Sequence, residues 1–399
     1  MSKEPTPLKR KLRFFAGKEN PKKTEPVESK EGEKDESFYR AGQWQLVWWK
    51  FRRHRLAQVA MVVLAIFYIV VVFAEFISPY DPQKRFKDYT TLPPTAVHLR
   101  DAQGNFHLPF VYALIRNRDP VTLRPFYTED TSVIYPVVLF AQGDEYELWG
   151  LVKGKVHLFG VESPADKVVP LFLLGSDTLG HDMLSRIFFG ARISLTVGLI
   201  GVFLAFFIGI FLGGIAGFFG GLLDEAIMRS IDVLMALPTI PLWMSLAAAL
   251  PQDWPQLKTY FYVTIILSIF GWTILARVVR GKLLSLREED YVMAARLDCE
   301  SEAQIITRYM LPGFTSYIIV NLTLAIPNMI LGETALSFLG VGLRAPTISW
   351  GVMLQEAQNL QTVALHPWLL WPCAFVILAV LMFNFLGDGL RDAADPYVT

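Results

Sequence analysis

Six runs of about twenty apolar residues, near 57–78, 194–219, 229–250, 259–279, 314–334 and 367–387, limit what this 399-residue chain can become. Each is long enough to cross roughly 30 Å of hydrocarbon as a helix. Irregular backbone in lipid would leave its polar groups unsatisfied, so helices are the expected form. The sequence therefore predicts an all-α polytopic membrane protein with six transmembrane helices. Composition agrees, with 53% hydrophobic and 19% charged residues and a mean hydropathy of +0.36, which is more apolar than a soluble chain of this size. The 37 basic residues balance 37 acidic ones, so bulk charge points to no nucleic-acid partner. Cys299 and Cys373 stand in different segments and offer neither a disulfide framework nor a metal-binding spacing.

Residues 1–40 are rich in Lys, Glu and Pro and lack apolar periodicity, which predicts a disordered cytoplasmic tail. No short apolar core with a small-residue cleavage site precedes Gln58, so the first span resembles a signal-anchor. An interfacial segment and the first helix follow over 41–78. There Trp48 and Trp49 adjoin Lys50, Arg52, Arg53 and Arg55, and this basic, aromatic flank places the N-terminus in the cytoplasm. Six crossings return the C-terminus to the same side. The charged stretch 287–313 then faces the cytoplasm, and residues 79–173 form an extracytoplasmic insertion before a core, 174–399, that holds the other five helices. Within the insertion, "VIYPVVLFA", "YELWGLV" and "KVHLFGV" read as strands of a β-rich subdomain between helices 1 and 2.

In the second span Gly209, Gly213, Gly217 and Gly221 recur every fourth residue, a spacing that lets another backbone approach one helix face. Pro238, Pro241, Pro327 and Pro372 are expected to break their spans locally. Asp232, Arg277, Glu333 and Asp388 all lie near span ends, so the polar candidates for lining a pathway are the neutral Asn321, Asn328 and Asn384. "GLVKGK" at 150–155 lacks the spacing and the Ser or Thr of a phosphate-binding loop. Asp177, His181 and Asp182 cluster in "GSDTLGHDMLSR", where Asp with Gly signals a turn followed by a helix cap more often than a metal site. No catalytic constellation is recognisable. A secondary transporter would need intramembrane charges or a repeated pair of broken helices, and a membrane-embedded enzyme would need reactive groups.

The charged stretch divides into two short helices. Glu288, Glu289 and Asp290 suit the N-terminus of the first, where the helix dipole favours negative charge, and the small Ala294 and Ala295 would let a partner surface come close. After a break at Asp298–Ser301, "EAQIITRYMLP" forms the second, which Pro312 is expected to close.

This stretch resembles the "EAA" coupling loop of bacterial ABC importer permeases, with Ala294, Ala295, Leu311 and Pro312 at matching positions. Met293 stands where that family usually has Glu, Cys299 where it has Gly, and Tyr309 where Ile is common. "LGSDTLGHDMLSRIFFGARISLTVG", "GGLLDEAIMRSIDVLMALP", "ETALSFLGVGLRAPTISWGVML" and "FNFLGDGLRDAADP" are similar to the C-type subunit of the dipeptide and oligopeptide branch, in the same order.

The resemblance implies a multi-pass subunit of a bacterial or archaeal cytoplasmic membrane that forms half of a channel with a second, B-type permease. Two ATPase subunits would carry ATP and Mg, leaving this chain without a cofactor or catalytic role of its own. An extracytoplasmic binding protein would deliver oligopeptides, oligosaccharides or similar solutes, and membrane lipid would surround the spans. The implied coupling-loop residues are Glu288, Glu289, Tyr291, Met293, Ala294, Ala295, Arg296, Asp298, Cys299, Leu311 and Pro312.

Overall fold

The computed structural model describes residues 43–121, 125–162, 169–298 and 300–394. The tail expected over 1–40 lies outside the described residues, as does Cys299. A first helix, α1 (Gln43–Phe51), leads into α2 (Arg55–Val72), the first long apolar helix, and the short α3 (Ala74–Ile77). Among the described residues, five helices are long and apolar enough to cross a membrane: α2, α4 (Met183–Phe219), α7 (Gln256–Leu286), α9 (Glu302–Phe338), and α12 (Trp371–Ala394) with the 3₁₀ turn Pro367–Leu370 ahead of it. In place of an unbroken third span there is a pair, α5 (Gly221–Ala236) and α6 (Thr239–Ala248), bent by 87°. Pro238 causes the bend. It supplies no N–H, and it holds Leu237 in extended backbone at ψ 137°. The short helices α8 (Asp290–Leu297), α10 (Trp350–Gln355) and α11 (Leu360–Leu365) complete the set.

Four other prolines do not break their helices as expected. Pro241 is the third residue of α6, within its first turn, and Pro327 lies inside α9, which continues past it to Phe338. Pro312 falls in a 3₁₀ turn, Leu311–Phe314, preceded by the wide π-helical turn Ile305–Met310, and α9 runs through both from Glu302 to Phe338. Pro372 occupies the first turn of α12, where an amide hydrogen would have no helical partner in any case.

The strands expected in the insertion are present as an antiparallel meander in the order β1-β2-β3-β4: β1 (His98–Arg100), β2 (Phe106–Arg118), β3 (Pro125–Leu148) and β4 (Val152–Val161). The first half of the 24-residue β3 pairs with β2 and the second half with β4. "YELWGLV" is not one strand, because the turn at Trp149–Leu151 divides it between β3 and β4.

The helical core is built on α4 and α7, which run in the same direction. Ser268 Oγ donates to the Gly201 carbonyl, Gly209 faces Leu275, and Gly217 faces Arg280 and Leu283. Helix α9 packs antiparallel on α4, with Ile326 and Ile330 against Gly198, and α12 runs antiparallel to α2, with Gly389 against Ala57 and Phe375 stacked on Phe67. The sheet joins the bundle near Val72, Glu75 and Arg192, whereas α8 joins it at Phe218 and Leu283. Arg192 and Phe218 stand 26 positions apart on α4, which holds these ends apart by about 40 Å at 1.5 Å per residue.

Candidate functional site

Helix α8 shows why the charged stretch is built as it is. Glu289 caps it in extended backbone, Asp290 lies in its first turn and Arg296 in its last, so both ends complement the helix dipole. Val292 and Ala295, three residues apart, are buried in a cluster with Phe218 of α4, Val279 and Leu283 of α7, and Ile305, Met310 and Phe314 of α9. The Arg296 guanidinium stands 5.2 Å from the centre of the Phe218 ring. On the far side Met293 is 52% exposed and Leu297 84%, with Ala294 exposed between them. Successive residues of a helix are about 100° apart, so Ala294 and Ala295 cannot share one surface. The expectation that both meet a partner is corrected here: Ala295 seats the helix on its own chain, and Ala294 faces outward.

The remaining residues of the stretch surround this platform. Arg287 pairs with Glu288 at 3.3 Å, and Asp298 caps the C-terminus of α8. Tyr291 is exposed, while Leu311 packs partly against the buried cluster and Pro312 is exposed. Ser301 and Gln304 form a reciprocal capping box that starts α9.

Three of the four predicted seam glycines face α7. A Cβ on Gly213 would lie 2.5 Å from the Ala276 carbonyl oxygen, one on Gly217 2.8 Å from the Arg280 carbonyl, and one on Gly209 3.0 Å from the Leu275 side chain. Gly221 does not belong to this seam. Nothing lies within 4 Å of the place its Cβ would take, and with Gly220 it reverses the chain at φ +58° and +68°. Two ion pairs brace the α5–α7 packing beyond the reversal, Asp224 with Arg280 at 2.5 Å and Asp232 with Arg277 at 2.6 Å.

Asn321 and Asn328 lie seven residues apart on one side of α9. Each donates its amide N–H to the carbonyl one turn back, Tyr317 at 2.8 Å and Leu324 at 3.4 Å. Asn328 is exposed along with Tyr317 and Leu331, so this side of α9 is open and partly polar. Asn384 is half-buried on α12, and among the described residues no hydrogen bond joins it to the other two.

Asp177 and Asp182 serve the turn and the cap. Asp177 accepts the backbone N–H groups of Leu179 and His181 as well as His181 Nδ1 at 2.6 Å, and it pairs with Arg186. Burial alone would raise its carboxyl, but the His181 hydrogen bond and the Arg186 charge outweigh that and hold it below the usual carboxylate range. Asp182 caps α4 through the Ser185 N–H at 2.8 Å. No cluster fit to hold a metal ion occurs among the described residues.

Sequence reasoning saw Glu333 only as a residue near a span end. It is wholly buried and accepts three hydroxyl hydrogen bonds, from Ser194 at 3.1 Å and from Ser337 and Ser349 at 2.8 Å each. Ser194 Oγ in turn accepts the Trp350 N–H, so one carboxyl ties α4, α9 and α10 together. The spacing Glu-x-x-x-Ser, which puts a hydroxyl one turn from a carboxylate, was the available signal.

Residues 209–399 match the family described as the binding-protein-dependent transport system inner membrane component, and residues 42–94 match the N-terminal transmembrane domain of oligopeptide transport permease C. A dipeptide transport system permease protein of Bacillus subtilis is 40% identical over 224 residues, covering 56% of this chain and 68% of that protein. An oligopeptide transport system permease protein of the same organism is 38% identical over 223 residues, 56% of this chain and 70% of its own length. A glutathione transport system permease protein of Escherichia coli is 32% identical over 355 residues, 89% of this chain and 91% of its own length. The chain thus belongs to the binding-protein-dependent transport permeases of the dipeptide and oligopeptide branch, as a C-type, multi-pass membrane subunit of an ABC importer.

Proposed function

We propose that this subunit forms half of a translocation channel with a B-type permease, and that residues 288–304 dock in a groove of an ATPase subunit and couple ATP hydrolysis to solute uptake. The observation that carries this reading is the two-sidedness of α8. Val292 and Ala295 fasten it to α4, α7 and α9, while Met293, Ala294 and Leu297 are turned outward as an apolar face suited to a helix-in-groove contact. With Met293 in place of the family's usual Glu, the centre of the contact is apolar and the flanking acids are Glu288, Glu289 and Asp298.

The bent pair α5–α6 supplies the sixth crossing. Because α4 and α7 run the same way, the chain between them must return, and α5–α6 is the helical segment available. The start of α2 and the end of α12 then share the end that carries α8, and the Trp48 and Arg52 flank supports a cytoplasmic side for that end, in a bacterial or archaeal membrane. ATP and Mg reside on two ATPases. Their closure moves α8, and the spans rock so that the cavity opens to one side at a time. An extracytoplasmic binding protein docks at the opposite end, beside the meander, and delivers a solute of oligopeptide size, in keeping with the relatives' names; those names lend no support to an oligosaccharide. Asn321 and Asn328 face the shared pathway.

The test is co-purification of the ATPases, with ATP hydrolysis stimulated by peptide-loaded binding protein, for Met293→Glu and Ala294→Glu. Both variants are expected to keep the fold and lose ATPase retention or stimulation. Parental assembly and coupling in both would overturn the docking role.

A further inference from the structure

Neither family match covers residues 95–208, and the meander within that interval is fastened to the bundle by unusual means. The β3–β4 turn holds Trp149 at φ +53° and Gly150 at φ +70°. Left-handed backbone suits the glycine but is rare for a bulky aromatic, and such strain persists only where surrounding structure enforces it. Trp149 Nε1 donates to the carbonyl of Val72, the last residue of α2, at 2.9 Å. The Arg192 guanidinium lies 4.1 Å from the centre of its ring, while its Nη atoms bond Glu75 and the Val71 carbonyl. Phe140 is likewise left-handed, at φ +58°, and its ring lies 6.3 Å from Phe76 of α3. Two strained aromatics thus fix the hairpin at the depth of the last turn of a membrane span.

At that depth the hairpin presents Leu139, Phe140, Trp149, Leu151 and Val152, each exposed by more than half and Leu151 by 86%. The contacts of Trp149 with Val72 and of Phe140 with Phe76 set the hairpin beside an apolar ridge on α2, where every exposed residue from Leu56 to Phe73 is apolar, among them Val59, Val62, Ile66, Ile69 and Val72. Helix contacts within a membrane favour small and polar residues, as on the open side of α9 with its two asparagines, whereas an unbroken aliphatic ridge fits lipid tails. Indole and phenyl rings just beyond such a ridge occupy the level of the headgroups. We infer that the β3–β4 hairpin is a membrane-interface anchor, with the Leu139, Phe140, Trp149 and Leu151 side chains seated in the lipid leaflet next to the end of α2.

The inference rests on the span and the hairpin alone and does not depend on ATPase coupling. A nitroxide is attached at Leu151→Cys, Leu139→Cys or Val121→Cys, in the full chain carrying Cys299→Ser and Cys373→Ser. Each protein is reconstituted, with the subunits that co-purify, in phosphatidylethanolamine and phosphatidylglycerol vesicles. Collision rates with oxygen, which concentrates in lipid, are compared with those of a water-soluble nickel chelate. Oxygen should dominate at 151 and 139, and nickel at 121, in the turn at the far end of β3. Nickel dominance at 151 would mean a solvated loop, and low rates for both reagents would mean a protein neighbour; either result overturns the anchor.

Discussion

The glycine seam of α4 and the attachment of α8 both depend on small residues, yet they are opposite kinds of joint. Along Gly209, Gly213 and Gly217 the missing Cβ atoms bring α4 against α7, at two positions against carbonyl oxygens of its backbone, so nothing there can adjust by a rotamer change. Under α8 the contact is made by side chains, Val292 and Ala295 set among Phe218, Leu283, Ile305 and Met310, beside a π-helical turn. The seam is suited to holding two spans as one unit. The α8 seat is suited to moving with whatever grips its outer face, because side-chain packing can slide where backbone contact cannot. Substitutions that treat neighbouring or evenly spaced small residues alike should separate the two joints.

The largest effect is expected at Ala295. Replacing it with Glu places a carboxylate without a partner in an apolar cluster, at a cost of several kcal/mol, so the folded chain should be largely lost from the membrane fraction. Ala294→Glu, one residue away on the exposed side, should shift stability by no more than about 0.5 kcal/mol and act only on ATPase binding. Thermal unfolding in detergent, read beside ATPase co-purification, compares the two. Equal destabilisation would show that α8 does not turn Ala295 inward.

Next in size are Gly213→Ala and Gly217→Ala. The added methyl would meet the Ala276 carbonyl at 2.5 Å or the Arg280 carbonyl at 2.8 Å, so the helices must separate, at a cost of about 2–3 kcal/mol. Gly209→Ala should cost less, about 1 kcal/mol, because its methyl meets the flexible Leu275 side chain at 3.0 Å. Unfolding midpoints of the three variants give the ranking directly. If Gly209→Ala proves the worst, the seam is not centred on Ala276.

These details show what the sequence could and could not carry. Apolar runs of span length disclose helices, because lipid leaves the backbone no alternative, and β-branched runs disclosed the strands of the insertion. The 87° bend at Pro238 was legible only as a local break, since its size depends on how α5 packs against α7. Pro312 looked like a terminator, but a π turn and a 3₁₀ turn absorb it. The inward side of α8 was hidden because both Ala294 and Ala295 are small, and only the burial of Val292 beside Phe218 and Leu283 shows which way the helix is turned. Glu333 was legible only as a residue near a span end, because Ser337 alone of its partners lies one turn away, and no local pattern links it to Ser194 and Ser349, 139 and 16 residues distant.

The smallest effect, and the sharpest test of the periodic reading, is expected at Gly221. Spacing alone makes it the fourth member of the seam, and on that view Gly221→Ala should be as harmful as Gly213→Ala. The structure gives it a different task. Helix α4 ends at Phe219 with Gly220 as its cap, and Gly221 stands in left-handed backbone with open space where its Cβ would go. Alanine there meets no neighbour and incurs only the left-handed penalty, about 1 kcal/mol. Asparagine tolerates that backbone better than other side chains, so Gly221→Asn should recover part of the loss, whereas Gly213→Asn would add bulk to a contact already closed and should be worse than Gly213→Ala. Unfolding midpoints of the four variants decide the matter, and the pattern to look for is a reversal in the order of Ala and Asn between positions 213 and 221. The same order at both positions would place Gly221 back in the helix contact and extend the rigid seam to the start of α5.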